Sequence, residues 1–377
     1  MALTSSYPSL YFHFPFCETK CHYCDFYSLG REKTKSGDPD LFEKAIREEI
    51  RLRGEQGTLQ AEIETIFLGG GTPSMTPPDS MKRIFDELFR YTKLKPGYEW
   101  TMEANPSSIE LDQFKAYREI GLNRVSMGVQ SLRNDHLSLL GRVHNEDAAL
   151  KALDSLFEAG FDNISTDLLC GVPGQSVEDL ESHLQKLTSY PISHLSIYLL
   201  TLAPHHAMYK DLPKDDEQLR HLLFIDEFMR GKGFEHYEIS NFAKPGKRAR
   251  HNLVYWTGGS YLAFGPSAHS FSKEESIRFK NFSSLHRYAR ELSELHQLPV
   301  EWTENLSEKD KALEKWMLAV RLEEGFPKVW LETDRQQLKA KILRENGFLE
   351  EHPANHSNLR ATPRGFAMSD AIIKELS

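Results

Sequence analysis

Between residue 9 and about residue 240, strand-like and helix-like segments alternate, and this alternation limits the fold more than any other feature of the chain. Strand-like runs fall at 9–14, 63–68, 99–103, 124–129, 163–169 and 194–200. Helical periodicity fills 41–54, 79–92, 110–120, 146–159, 177–187 and 216–232; in the first of these Phe42, Ala45, Ile46 and Ile50 share one face. Strands and helices at this spacing build right-handed βαβ units around a parallel sheet. Six units fit a complete or partial barrel, although periodicity does not separate a barrel from an open doubly wound sheet. In a barrel, chemistry collects on the loops at the carboxyl ends of the strands.

The pattern breaks at 241–284, a stretch rich in glycine, aromatic and basic residues. Helices are expected again at 285–298, 307–322, 336–346 and from 369, with a short hairpin near 348–363. The expected organisation is therefore a barrel domain over 1–240, an extension over 241–284, and a small, mainly helical, winged-helix-like domain over 285–377. With 377 residues the chain is long enough for both domains. No apolar run approaches the eighteen or so residues of a membrane span. The N-terminus lacks a basic segment followed by an apolar one, so no secretory signal is expected and the protein should be cytoplasmic. A net charge of −9 argues against nucleic acid as the main partner.

Three of the four cysteines fall within eight residues, as Cys17, Cys21 and Cys24, just after the first strand. Clustered cysteines in a cytosolic chain are metal ligands or redox groups, not a disulfide framework. Thiolates suit iron–sulfur clusters, zinc and Cu(I). Three of them hold three irons of a cubane and leave the fourth iron open, a Lewis acid for a small chelating ligand, whereas structural sites close all four positions. Spacing alone also allows zinc, with His13, His22 or Asp25 as fourth ligand. Cys170 ends another strand and is expected to be a small buried hydrophobe.

Further polar and glycine residues sit at strand ends. Gly69-Gly70-Gly71-Thr72-Pro73 closes the second strand. Such a run is either a tight turn or a nest whose backbone N–H groups face an anion. Glu103, Gln130 and Asp167 close later strands, and Arg142 follows in a loop. Carboxylates suit ribose hydroxyls and an ammonium group; the guanidinium suits a carboxylate. Taken singly, each has the usual fate of a charged or polar loop residue, which is solvation.

The cysteine motif after the first strand resembles the signature of the radical S-adenosylmethionine (SAM) superfamily. There the open iron chelates the amino and carboxylate groups of SAM, and electron transfer releases a 5′-deoxyadenosyl radical. Within it, the set from Tyr11 to His269 resembles the subgroup of oxygen-independent coproporphyrinogen III oxidase and the heme chaperones. The resemblance implies a partial (β/α)6 TIM-like barrel with a [4Fe-4S] cluster on Cys17, Cys21 and Cys24. It implies SAM contacts at Tyr11, Gly70, Gly71, Thr72, Glu103, Gln130, Arg142 and Asp167. Tyr23 matches a position near a second SAM in the oxidase.

Three features separate the two branches. Phe26 stands where the oxidase carries a further cysteine, and only eight residues precede Ser9 where the oxidase has a longer segment. The stretch from His251 to Trp256 matches the H-N-x-x-Y-W motif that typifies the heme chaperones and is linked to heme. Imidazole is a common axial ligand of heme iron, and Tyr255 and Trp256 suit a porphyrin face. Without the family, the residues favour a structural turn with a locally bonded histidine and aromatics in the core. His269, in Gly265-Pro266-Ser267-Ala268-His269-Ser270, is a second candidate. The resemblance implies a chaperone that binds cluster, SAM and heme and lacks coproporphyrinogen dehydrogenase activity. Its partners would be an electron donor and heme-accepting proteins, membrane-bound respiratory enzymes among them. The rivals are the decarboxylating oxidase itself and a zinc-bound structural or interaction protein.

Overall fold

The computed structural model describes residues 7–108 and 110–377; Met1–Ser6, where the absence of a secretory signal was read, and Ile109 lie outside them. All six expected strands are present: β1 (Ser9–Phe14), β2 (Ile63–Gly70), β3 (Leu94–Ala104), β4 (Arg124–Gln130), β5 (Ile164–Cys170) and β6 (His194–Leu199). The helices between and after them are α1 (Asp38–Glu55), α2 (Pro78–Leu88), α3 (Leu111–Ile120), α4 (Glu146–Glu158), α5 (Val177–Ser189) and α6 (Asp215–Gly231). β3 begins five residues before its expected start, because Pro96 and Gly97 near its edge hide the strand signal. Side chains set the helix starts: Asn145 caps α4, and Ser176 with Asp179 forms a capping box on α5.

The chain folds as two compact units. The first runs to Thr166 and adds Arg250–Tyr255 and Gly259–Asn305. It contains most of the helix Arg250–Trp256 (α7), the strand Leu262–Phe264, and an antiparallel sheet of His269–Ser272, Ile277–Asn281 and Val300–Asn305. Its main sheet is parallel, with Leu262–Phe264 beside β1, then β2, β3, β4 and the start of β5. Strand alternation sorts β1 between two environments. Leu10, Phe12 and Phe14 enter the core, where Phe12 stacks on Phe264 (4.8 Å) and meets Phe85 (5.0 Å). Tyr11 and His13 alternate with them and face the other way, toward the site below.

Residues 285–305, expected with the C-terminal domain, pack instead in this first unit. The cause is a charge on the apolar face of α1. Glu49 is fully buried and pairs with buried Arg53 at 2.8 Å. It also accepts hydrogen bonds from the Tyr288 hydroxyl (2.7 Å), the Asn281 side chain (2.9 Å) and the Gly265 N–H (2.9 Å). A buried carboxylate must be satisfied on every side, and these groups from 265–288 satisfy it.

The second unit comprises Asp167–Ala249, Trp256–Gly258 and Leu306–Ser377. In it Asn241–Ala243 runs antiparallel between β6 and Glu235–Glu238. Helices Glu308–Ala319, Asp334–Glu345 and Ser369–Leu376 and a small antiparallel sheet close over Trp316, Val320, Phe326, Leu349, Leu359, Ile372 and Leu376. No helix among the described residues is long and apolar enough to cross a membrane.

Candidate functional site

The chain leaves β1 into a loop that carries all three clustered thiols. Phe16–Cys17 pairs in parallel with Leu29–Gly30 and ties the two ends of the loop together. Cys17, Cys21 and Cys24 are half-buried and none forms a disulfide. The Thr72 hydroxyl donates to Cys17 Sγ at 3.6 Å, and Arg142 Nη1 lies 3.4 Å from Cys21 Sγ. Burial pushes the Cys17 thiol up while Thr72 and Ser28 pull it down; burial likewise raises Cys24, against the Phe26 backbone. The loop is pinned to the turn after β4: the His22 N–H donates to the Leu140 carbonyl (3.2 Å) and its Nδ1–H to the Leu139 carbonyl (3.1 Å). Gly141, at φ +72°, leaves room for that ring; a Cβ there would sit 3.1 Å from it. Among the described residues no three His, Cys, Asp or Glu side chains gather tightly enough to hold a single metal ion. His13, one of the ligands considered for zinc, has both ring nitrogens committed, as follows.

The ends of β1, β2 and β3 meet beside this loop. His13 Nε2–H donates to the Tyr27 carbonyl at 2.8 Å. That fixes Nδ1 as the acceptor of the Tyr11 hydroxyl, 3.1 Å away. Burial lowers His13 to about 4 and raises the Tyr11 phenol, the latter with help from nearby Glu103. Glu103 Oε2 accepts the Gly70 N–H at 3.3 Å.

The glycine run does not form the anion nest considered above. Besides the Gly70 N–H on Glu103, the Gly71 N–H donates to Phe14 O (2.7 Å) and the Thr72 N–H to Phe16 O (2.7 Å). β1 and β2 stay paired to their last residues, so these amides continue the ladder. What glycine supplies is close approach. A Cβ on Gly70, at φ +107°, would lie 2.6 Å from the His13 ring, and one on Gly71 2.6 Å from Phe16 O.

Gln130 ends β4 with a left-handed φ of +64°, spanned by a Ser131 N–H to Val129 O bond of 2.8 Å. Its side chain and the Arg142 guanidinium both border Gly128, where an added Cβ would be 3.1 and 3.4 Å away. Arg142 Nη2 donates to Gly128 O at 2.8 Å, but its buried Nε has no partner. A buried unpaired donor costs about 1–3 kcal/mol. Burial works against the Arg142 charge, and the neighbouring Tyr23 phenol and Cys21 thiol favour it. Tyr23 itself is raised by burial, against the pull of Arg142. The first unit thus brings Tyr11, Tyr23, Gly70, Gly71, Thr72, Glu103, Gln130 and Arg142 to the strand ends that carry the three cysteines. Asp167 is half-buried on β5 and belongs to the second unit. Cys170 is fully buried, its thiol pushed up to about 12, as a small core residue should be.

The donor set fits a cubane and a chelating amino acid. It offers three free thiols on one loop, an orphaned guanidinium N–H beside them, and two glycine positions that no side chain can occupy.

His251 lies elsewhere and is not presented to a ligand. It is 0 % exposed. Its Nδ1 bonds the Thr65 hydroxyl (2.8 Å), its Nε2 bonds the Tyr255 hydroxyl (2.7 Å), and its ring stacks on Phe67 at 5.3 Å. Both Glu99 oxygens cap the start of α7, accepting the N–H groups of His251 (2.9 Å) and Arg250 (3.0 Å). Burial, then the nearby Arg124 charge, hold the imidazole at about 3. In this fold a heme iron reaches that nitrogen only if α7 opens. Sequence reasoning also missed His13 as the hub behind Tyr11, Glu99 as the cap of α7, and Glu49. Glu49 left one signal, a charge three residues after Ile46 on an otherwise apolar helical face.

A family model described as Radical SAM superfamily matches residues 11–187. The heme chaperone HemW of Bacillus subtilis (strain 168) is 33% identical over 330 residues, covering 85% of each chain. That of Mycobacterium tuberculosis (strain ATCC 25618 / H37Rv) is 32% identical over 375 residues, covering 97% of this chain and 94% of the relative. The solved structure of coproporphyrinogen III oxidase (HemN) from Escherichia coli, a radical SAM enzyme, superposes with a TM-score of 0.82 at 21% identity, covering 99% of this chain and 91% of that one. That likeness establishes the fold, a radical SAM partial (β/α)6 barrel with a small C-terminal domain.

Proposed function

The chain belongs to the heme chaperone HemW family, within the radical SAM superfamily, and from this premise we propose that it binds a [4Fe-4S] cluster, SAM and heme and hands the heme to acceptor proteins. The observation that carries the cofactor half is the unpaired Arg142 Nε beside three thiols that form no disulfide. Cys17, Cys21 and Cys24 would hold three irons; the bound cluster supplies an open iron able to chelate and reduce SAM. Arg142 offers its free N–H to an anionic group there, and Glu103 offers a carboxylate to an ammonium or a ribose hydroxyl. Gly70 and Gly71 keep the strand ends close enough for a ligand to lie against backbone. Tyr11 is held in place by His13, and Tyr23 and Gln130 border Arg142. Asp167 of β5 is the remaining residue that the family resemblance assigns to SAM. Phe26, 66% exposed, brings no thiol to the position where the oxidase carries a further cysteine, which favours delivery of heme over decarboxylation of a porphyrinogen. The acceptors include membrane-bound respiratory enzymes, an electron donor serves the cluster, and the chaperone works in the cytoplasm.

The test is anaerobic reconstitution with iron and sulfide, then titration with SAM and with hemin. The expected result is binding of both, with SAM binding lost in Arg142→Ala at unchanged iron content. Reconstituted protein that binds no hemin would contradict the chaperone function; Arg142→Ala with unaltered SAM affinity would contradict the assignment of the guanidinium.

A further inference from the structure

The site above makes no use of the solvent face of the antiparallel sheet formed by His269–Ser272, Ile277–Asn281 and Val300–Asn305. Register places two rows of side chains across its three strands: His269, Lys280 and Trp302 in one, Phe271, Arg278 and Glu304 in the next. The alternate residues Ser270, Ser272, Ile277, Phe279 and Asn281 are buried on the opposite face. The first strand buries Ser270 and Ser272 and exposes His269, a sorting that burial alone does not favour. His269 is exposed and Trp302 is 39% exposed. Their rings meet edge to face with centroids 5.9 Å apart, and the Arg278 guanidinium lies over the Phe271 ring at 5.6 Å.

The chemistry of this face is specific. One ring nitrogen of His269 faces the Ser267 backbone carbonyl. A carbonyl only accepts, so it favours the tautomer that leaves the other nitrogen with its lone pair, the arrangement in which histidines ligate metals. Burial, and then the Lys280 charge, hold the imidazole below its ordinary pKa, so it is neutral at physiological pH. Lys280 pairs with Glu301 at 2.8 Å, and Arg278 lies 4.0 Å from Glu304. The Lys280–Glu301 pair is part-exposed, at 18% and 35%, and such a surface pair contributes about 0–1 kcal/mol, so an incoming carboxylate can exchange for Glu301. From His269, Lys280 is directly across the sheet and Arg278 is on the diagonal, about 7–8 Å away. The two cations therefore lie to one side of the imidazole.

We propose that this sheet face is the docking site for the heme cargo, with His269 as axial ligand of the iron, Trp302 and Phe271 against the macrocycle, and Lys280 and Arg278 on the two propionates. The proposal deepens the heme-chaperone function and rests on it. An iron porphyrin is the occupant because it alone asks for all three elements at once: a neutral imidazole, flat apolar surface, and two cations on one side. The face adjoins the pocket at the strand ends. His269, if protonated, would depress His13, which holds Tyr11.

Hemin titration of the full-length protein, followed by its absorption spectrum, tests this. His269→Ala is expected to lower hemin affinity at least tenfold and shift the Soret band; His269→Met should restore part of the affinity with a different spectrum. Lys280→Glu should weaken hemin and iron-free protoporphyrin several-fold alike, because propionate recognition needs no iron. His269 is exposed and Lys280 part-buried, and unchanged circular dichroism with unchanged cluster content verifies the fold of each variant. If the parent protein binds hemin and His269→Ala binds it with the same affinity and spectrum, the proposed face is wrong and the chaperone function survives. If the parent binds no hemin, both fall together.

Discussion

The cysteine loop and the H-N-x-x-Y-W helix are the two motifs that stand out most in this chain, and the fold treats them oppositely. The loop holds its thiols half-buried and free of disulfides, with Thr72 and Arg142 beside two of them, next to a guanidinium N–H with no partner. The helix buries His251 completely and satisfies every polar atom of its ring. Polar groups left incomplete in a buried pocket await a ligand; a polar group completed by its neighbours is part of the scaffold. A conspicuous motif is therefore not by itself a binding site.

The largest expected effect lies at the loop. Replacing Cys17, Cys21 or Cys24 by Ala should each abolish the reconstituted cluster, while His251→Ala leaves iron and sulfide content unchanged. Normal iron and sulfide in any one cysteine variant would break the comparison at its strong end. At the helix the effect should appear in stability. His251→Ala removes a stacked ring and two buried hydrogen bonds and should cost about 2–4 kcal/mol, read as a lower urea midpoint, with hemin affinity changed less than threefold. A large loss of hemin binding with little loss of stability would reverse the assignment.

Acid should act on the scaffold side of the comparison. Burial holds His251 at about 3, and His13 and His144 at about 4, below the ordinary 6.5. As pH falls below 6.5 the unfolded chain takes up protons that the folded chain refuses. Stability is thus lost from about pH 6.5 down to about 4, at up to about 1.4 kcal/mol per pH unit per histidine. Glu238, raised by burial to about 7 from 4.5, works in the opposite sense and adds stability as pH falls between those values. Urea midpoints measured from pH 7.5 to 5 should decline, and His251→Gln should flatten the decline by about one proton. An unaltered slope would mean that His251 is not held neutral. The smallest effect is expected at Phe26: Phe26→Ala removes an exposed ring and should change stability by less than about 0.5 kcal/mol.

Much of the first unit was legible in the sequence because each βαβ segment carries its own periodicity and caps. β4 ends within one residue of its expected position, and α5 starts at its capping box. The chemistry at the strand ends was legible because thiols and glycines at fixed spacing have few other uses. What was hidden depends on contacts between segments far apart in the chain. Glu49 decides where residues 265–288 pack, and nothing in α1 alone announces its partners. The state of His251 is set by Thr65, Phe67 and Glu99, 152 to 186 residues away in sequence. The row of His269, Lys280 and Trp302 exists only once three strands are in register.

One experiment reaches the central claim most directly. The protein is reconstituted anaerobically with iron and sulfide and incubated with SAM, dithionite and coproporphyrinogen III; the products are separated by chromatography, and the recovered protein is then titrated with hemin. Chaperone function predicts an intact cluster, unconsumed coproporphyrinogen and saturable hemin uptake. Deoxyadenosine together with protoporphyrinogen IX would make the protein a decarboxylating enzyme and contradict it.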